Sequence, residues 1–262
     1  MAVSFNKVDL TNLNNIGDQY CTPDAYFQIE SCRDIVIVGG GAQQEDKLES
    51  SKKSKKMVVW GIGKSLKGPV VPYKKEYSFL EYGFRDYDLL ENKSKFLPCV
   101  SCLNKDIIES PTNDKVLIFI NANTDVSPNI EVYDTENVLF LKNDCSLEEF
   151  LAKWSQCSKV VTNSYHGIYW SLLSGREVLP FWYSSKIKSV LSLFNLEPSS
   201  DNFYRSTDSS LIEKMIYFNN SDFLQSVSCR LNEFRDINLS FAAGLNKYDI
   251  LCKEIDDRNS KE

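Results

Sequence analysis

A chain of 262 residues, 42% hydrophobic and 25% charged, has the composition of a globular protein. Its net charge of −6 excludes a chain-wide positive field for nucleic acid. A single histidine, His166, excludes a His–His metal site and any mechanism needing two imidazoles.

No apolar run approaches the roughly 20 residues that a membrane-spanning helix needs. The opening MAVSFNKVDL lacks the basic segment and long apolar run of a secretion signal. The expectation is a cytoplasmic protein without an integral membrane segment, leaving peripheral contact at the inner membrane face open. Eight cysteines, widely spaced, read as reduced thiols. Cys99-Val-Ser-Cys102 is a lone C-x-x-C without two further ligands nearby, so these thiols read as small buried hydrophobes and no metal is expected.

In chain order, strands are expected over Val3–Val8, Asp34–Val38, Met57–Trp60, Phe79–Tyr82, Lys95–Leu97, Lys115–Asn121, Val138–Lys142, Lys159–Thr162 and Val178–Phe181. Runs such as IVIV, MVVW and VLIFI are apolar on both faces, as strands of a buried parallel sheet are. Helices are expected over Pro23–Glu30, Leu147–Gln156, Gly167–Ser174, Lys186–Phe194, Ser210–Phe218 and Asp222–Ala243. This alternation predicts an α/β fold. Ser110-Pro-Thr-Asn-Asp114 has the composition of a linker and divides the chain into two Rossmann-like halves, 1–112 and 113–262. Such halves bind ligands at the carboxyl ends of their strands. The run Lys52-Lys-Ser-Lys-Lys56 reads as a solvated loop or as a contact for an anionic partner.

Several segments have residue types suited to chemistry. Asn15-Ile-Gly17-Asp18 precedes a helix: Asp18 either aims a carboxylate into the cleft or caps that helix, and Gly17 permits a tight turn or close approach. Gly39-Gly40-Gly41 ends a strand, either exposing backbone N–H groups to an anion or sugar or serving as turn punctuation. Arg85, at a strand end, is either a planar anion clamp or half of an ion pair. Thr162-Asn163-Ser164-Tyr165-His166-Gly167 puts the imidazole at a helix start, where N–H groups and the helix dipole favour anions; a capping or core role is the alternative. Ser184-Ser185-Lys186 forms a second such helix start. Tyr165, Tyr169, Trp170, Trp182 and Tyr183 supply rings for a sugar face or for the core.

Together, N-I-G-D-Q-Y-C-T-P, V-G-G-G, W-G-I-G, F-R-D-Y, L-P-C-V-S-C and V-V-T-N-S-Y-H-G-I-Y-W-S-L-L-S-G-R-E-V-L-P-F-W-Y-S-S-K resemble the polysaccharide pyruvyltransferase family, in family order over about residues 10 to 190. The resemblance implies a GT-B-like arrangement of the two halves, with the active site in the cleft and a late helix crossing back. It implies transfer of pyruvate from phosphoenolpyruvate, as co-substrate, onto two hydroxyls of a sugar acceptor (nucleotide sugar, lipid-linked saccharide or glycan) to form a cyclic ketal, with no cofactor. Many members carry Arg-Leu-His-Gly where this chain has Ser164-Tyr165-His166-Gly167, so the charge for the donor must come from elsewhere. Arg85 and Lys186 are the candidates. On this reading Asp18 is the general base, His166 a phosphate ligand or acid, and Ser184 and Ser185 further anion contacts. A nucleotide-sugar glycosyltransferase or a noncatalytic glycan- or anion-binding protein would use the same architecture.

Overall fold

The computed structural model describes residues 3–5, 15–67, 70–123, 134–204, 214–215, 217–225 and 229–255. The chain builds two four-stranded parallel sheets. The first has the order β1 (Val3–Phe5), β3 (Ile35–Gly39), β4 (Met57–Ile62), β5 (Glu81–Phe84). The second has the order β7 (Val138–Lys142), β6 (Lys115–Ile120), β8 (Cys157–Thr162), β9 (Glu177–Pro180). The unbroken apolar runs are its inner strands: every residue of β3 and β4 is buried, as are Leu117–Ile120 of β6. This is the α/β fold expected from the alternation of strands and helices.

The second sheet carries α4 (Leu147–Trp154), α5 (Tyr165–Leu173) and α6 (Ser185–Ser192) close to their expected places. Ser146 caps α4 by accepting from the Glu149 N–H, the side-chain bond that ends the loop before it. Shorter helices are α1 (Ile16–Gln19), α2 (Glu45–Glu49) and α3 (Lys105–Ile108).

Several local expectations are corrected. Pro23–Glu30 is not a helix: Pro23 opens a single 3₁₀ turn, and β2 (Phe27–Ser31) follows. It pairs antiparallel with β10 (Ile250–Glu254), a strand not foreseen. Lys95–Leu97 is no strand of a sheet. A 3₁₀ turn occupies Lys93–Lys95, and the Leu97 N–H donates to the Phe84 carbonyl beyond it. The strand expected over Phe79–Tyr82 lies two residues later. The long helix begins at Leu231, not Asp222, as α7 (Leu231–Gly244). Asp222 instead accepts from the Asn219 N–H in a 3₁₀ turn, and Leu224 then exchanges backbone hydrogen bonds with Val178 of β9. The Lys52–Lys56 lysines are exposed around a turn that enters β4. The expected helix over Ser210–Phe218 lies mostly outside the described residues, as does the strand beyond Phe5.

Helix α7 touches parts of both sheets' surroundings. Asn238 is fully buried; it accepts from Trp60 Nε1 of β4 at 2.8 Å and donates to the Pro98 carbonyl. Phe234 packs its ring against Phe96, Tyr169 and Phe194. One hydrophobic cluster joins Ile16, Cys21, Cys99, Cys102, Ile107 and Ile108 to the second sheet and α5. No helix among the described residues is long and apolar enough to cross a membrane.

Beyond α7, Glu81 of β5 accepts from Lys95 at 2.9 Å and from Lys247 at 2.7 Å. Burial works to raise its pKa, but the Lys247 and Lys95 hydrogen bonds prevail and hold it at about 2 against an ordinary 4.5. A depressed carboxylate stabilises the fold above its unfolded pKa and loses that contribution as pH falls through the folded value. The urea-unfolding difference between the wild type and Glu81→Gln should therefore be fully present at neutral pH and shrink progressively from about pH 4.5 toward 2. A difference independent of pH would show that Glu81 acts through packing alone.

Candidate active site

The carboxyl ends of β5, β8 and β9 and the start of α1 converge on one charged cluster. Its centre is Arg85, the residue after β5. The side chain is 2% exposed, with its guanidinium carbon 3.8 Å from the centroid of the Tyr165 ring. Stacking of this kind suits arginine, whose delocalised charge is weakly hydrated. Among the described residues, its Nε and Nη1 have no hydrogen-bond partner, and neither does the Tyr165 hydroxyl. The adjacent carboxylate, Asp86, does not close this account. Its Oδ2 accepts from the Lys64 N–H at 2.6 Å and the Tyr73 hydroxyl at 2.7 Å. Gly63 is required beside the pair, because a Cβ there would lie 2.4 Å from Arg85 Nε.

His166 is the second residue of α5 and is 5% exposed. Burial lowers its pKa well below 6.5, and the Arg85 and Lys186 charges lower it further, so the imidazole is neutral at physiological pH. Ser164 is the N-cap of α5, its hydroxyl accepting from the Gly167 N–H. The helix thus starts two residues earlier than expected, and its serine terminates the helix backbone instead of offering charge. Gly167 leaves room for Thr162, whose Oγ1 would be 2.6 Å from a Cβ there. Asn163 is a strap: its Oδ1 accepts from the Asn121 N–H, and its Nδ2 donates to the Tyr204 hydroxyl.

Helix α1 approaches α5 across Gly17. A Cβ on Gly17 would fall 2.1 Å from His166 Nδ1, so the close approach allowed by this glycine is to the imidazole. Asn15 is the N-cap of α1, which frees Asp18 from that role. Asn15 Oδ1 accepts from the Gly17 N–H, and its Nδ2 donates to Asp18 Oδ2 at 2.8 Å. Burial raises the Asp18 pKa; the Lys186 and Arg85 charges and the Asn15 hydrogen bond oppose it without prevailing. The Ile16 N–H donates to the Asn143 carbonyl at the end of β7, which ties α1 to the second sheet.

The glycine run is placed differently from an open cradle. A Cβ on Gly39 would meet Pro23 at 2.4 Å, and one on Gly40 would meet Cys21 Sγ at 2.1 Å. Gly40 and Gly41 have φ of 52° and 69°, a left-handed turn that glycine adopts without strain. The Gly40 N–H donates to the Trp60 carbonyl. The run brings the segment after α1 against β3, and so positions Asp18 indirectly.

At the start of α6, the Ser185 N–H donates to the Leu66 carbonyl, and the Ser185 hydroxyl accepts from the Leu66 N–H at 3.0 Å. Ser65 and Ser184 share a hydroxyl contact at 3.3 Å. Both serines are thus engaged by the loop after β4. Lys186, half-buried, lies over the Tyr183 ring, and its charge reaches both Asp18 and His166. Of the rings considered for a sugar face, Tyr165, Tyr169 and Trp170 are buried core, while Trp182 is partly exposed and packs on Phe203.

Asn15, Cys21, Lys64, Asp86 and Cys99 join the cluster without having been singled out. Lys64 is buried and forms an ion pair with Glu45 at 2.6 Å. Cys99 Sγ lies 3.6 Å from His166 Nε2. The available signals were slight: Asp86 adjoins Arg85, Asn15 adjoins the Gly-Asp pair, and Cys99 lies in the L-P-C-V-S-C segment.

Replacement of Gly17 by alanine inserts a methyl where His166 Nδ1 lies, and an overpacked site of this kind typically costs about 1–3 kcal/mol. Gly17→Ala should lower thermal stability and displace the resonances of the sole imidazole in NMR spectra. An unchanged melting temperature with unchanged imidazole resonances would show that α1 slides past α5 freely.

No curated protein and no solved structure matches the chain. A family model described as polysaccharide pyruvyl transferase matches residues 5–185, a span holding Asp18, Arg85 and His166 and reaching the start of α6. The chain belongs to the polysaccharide pyruvyl transferase family.

Proposed function

We propose that this protein transfers pyruvate from phosphoenolpyruvate onto two hydroxyls of a sugar acceptor, closing a cyclic ketal, in a cleft between two Rossmann-like halves arranged as in GT-B enzymes. The observation that carries the reading is Arg85. A buried guanidinium with two donors lacking partners among the described residues is costly unless an anion completes it. Phosphoenolpyruvate brings a carboxylate and a phosphate on one enol carbon. The Arg85 fork suits either, and Lys186 adds a second positive charge.

The reaction moves two protons. Each sugar hydroxyl loses one as it bonds to the former enol carbon. One proton ends on the methylene carbon, which becomes the ketal's methyl group, and the other leaves with inorganic phosphate as the C–O bond to phosphate breaks. Asp18 is the base on a sugar hydroxyl, and its raised pKa strengthens it for that task. Asn15 holds one carboxylate oxygen and leaves the other for the substrate. His166 is neutral in the free enzyme, which favours a hydrogen-bond donor to the donor substrate over a resting cationic acid. The bound anions push its pKa up again and give it access to the proton donated to the methylene. Ser184 and Ser185 serve the anion only if the loop after β4 releases them.

Two outcomes test the reading. Arg85→Met keeps an apolar stem over Tyr165 and should raise the KM for phosphoenolpyruvate by roughly 10–100-fold, the worth of a charge-assisted hydrogen bond. Phosphoenolpyruvate should raise the melting temperature of the wild type and fail to do so for the variant. A shift by nucleotide sugars alone would instead favour a glycosyltransferase, and no shift by either a noncatalytic module. Asp18→Asn should lower kcat about 10²–10⁴-fold in phosphate release with a competent acceptor. In the wild type the rate should fall as pH drops through the Asp18 pKa, at a pH above that of an ordinary aspartate. An acid limb at ordinary carboxylate pH, or one retained in Asp18→Asn, would remove Asp18 from the role of base.

A further inference from the structure

We infer that Cys99 is a positioning residue that holds His166 as the tautomer with its proton on Nδ1, through a hydrogen-bond chain whose direction is set by Trp170. The value of this tautomer for catalysis rests on the pyruvyl-transfer reading; the tautomer itself does not.

The chain has three links. Trp170 Nε1 lies 3.0 Å from Ser101 Oγ. Ser101 Oγ lies 3.2 Å from Cys99 Sγ. Cys99 Sγ lies 3.6 Å from His166 Nε2. An indole N–H only donates, so the Ser101 oxygen is the acceptor in the first link. The Ser101 hydroxyl proton then needs an acceptor, and among the described residues Cys99 Sγ is the one within reach. Sulfur accepting that proton leaves its own S–H to donate onward, and His166 Nε2 receives it as a lone pair. A neutral imidazole accepting at Nε2 carries its proton on Nδ1.

The opposite direction fails on the same inventory. An Nε2–H donating to Cys99 leaves one buried proton without an acceptor among the described residues: the Ser101 hydroxyl's if the thiol turns toward Ser101, or the thiol's own if the sulfur accepts from both neighbours. Ser101 and Cys99 are fully buried, and an orphaned buried donor costs about 1–3 kcal/mol. The partners are themselves fixed: the Tyr169 hydroxyl donates to the Cys99 carbonyl at 2.9 Å, and the His166 and Trp170 rings pack 5.3 Å apart. Nδ1 is the edge against Gly17, on the side of α1 and Asp18. The chain therefore delivers a neutral imidazole with its one N–H on the edge facing α1, the helix that carries the proposed base.

His166 is the sole histidine, so nitrogen-15 NMR of the labelled protein reads one imidazole without assignment variants. The wild type should show a protonated Nδ1 and an unprotonated Nε2. Cys99→Ser keeps a donor at the position and should preserve that tautomer. Cys99→Ala removes it and should move the population toward Nε2–H, lowering kcat by about 10-fold or more, a part of the 10²–10⁴-fold proton-transfer contribution, and raising the KM for phosphoenolpyruvate as the imidazole's hydrogen bond to it is lost. A proton on Nε2 in the wild type, or an Nδ1–H tautomer unchanged in folded Cys99→Ala, would overturn the inference. If Cys99→Ala does not fold, the wild-type spectrum alone decides. The expected tautomer in a protein that fails to turn over phosphoenolpyruvate would sink the functional reading and leave this one standing.

Discussion

The burial of the Arg85 charge is the constraint around which the site is built. A guanidinium removed from water needs compensation, and the described residues supply part of it: the π face of Tyr165 beneath the plane and the neighbouring Asp86. Asp86 spends one oxygen on the Lys64 N–H and the Tyr73 hydroxyl. Residues from different parts of the chain are therefore pinned by one cation. Arg85 comes from the end of β5 and Tyr165 from the first turn of α5, so strands of the two sheets must end near each other for the stack to form. An arrangement that left Arg85 in water would remove the electrostatic reason for this meeting.

The same cation sorts the titratable groups. Asp18 and His166 feel Arg85 and Lys186 alike, yet they move in opposite directions from their ordinary values. Desolvation penalises whichever form is charged, raising the carboxyl and lowering the imidazole, while the two cations add to the second effect and oppose the first. Groups whose pKa values are displaced by burial and specific charges cluster at functional sites, and buried structural networks displace them as well. Gly17 makes the pairing possible sterically. Without its missing side chain, α1 could not carry Asp18 to within one residue of the imidazole edge.

How far this was legible in the sequence follows the physics of each element. IVIV, MVVW and VLIFI announce doubly buried strands because no other environment tolerates such runs, and β3, β4 and β6 lie there. Phe27–Ser31 was misread because its alternation is short and Pro23 advertised a helix start; its partner β10 lies more than 200 residues away, and local pattern carries no trace of that pairing. Asp222 has the chemistry of a helix start, but it closes a turn with Asn219, so α7 begins nine residues later. Asn163-Ser164-Tyr165-His166 stood out as a helix start rich in polar groups, and it is one. What the segment could not reveal is how its groups are divided: Ser164 to the cap, Asn163 to Asn121 and Tyr204, Tyr165 to Arg85. Cys99 was read as a small hydrophobe because nothing in L-P-C-V-S-C points to an imidazole 67 residues on.

The serine at position 164, two residues before His166, acquires a physical sense from this division. A charged side chain at the N-cap of α5 would stand at the positive end of the helix, close to Arg85 and Lys186, with burial magnifying the repulsion. Serine instead satisfies the Gly167 N–H and adds no charge. The buried positive charge nearest the serine is Arg85, which follows a strand of the other sheet and is stacked on the residue after the serine. Burial, helped by the Arg85 and Lys186 charges, leaves the imidazole neutral, and a neutral imidazole can be held in one tautomer by a thiol, a weak donor unable to direct a cation that already bears both protons.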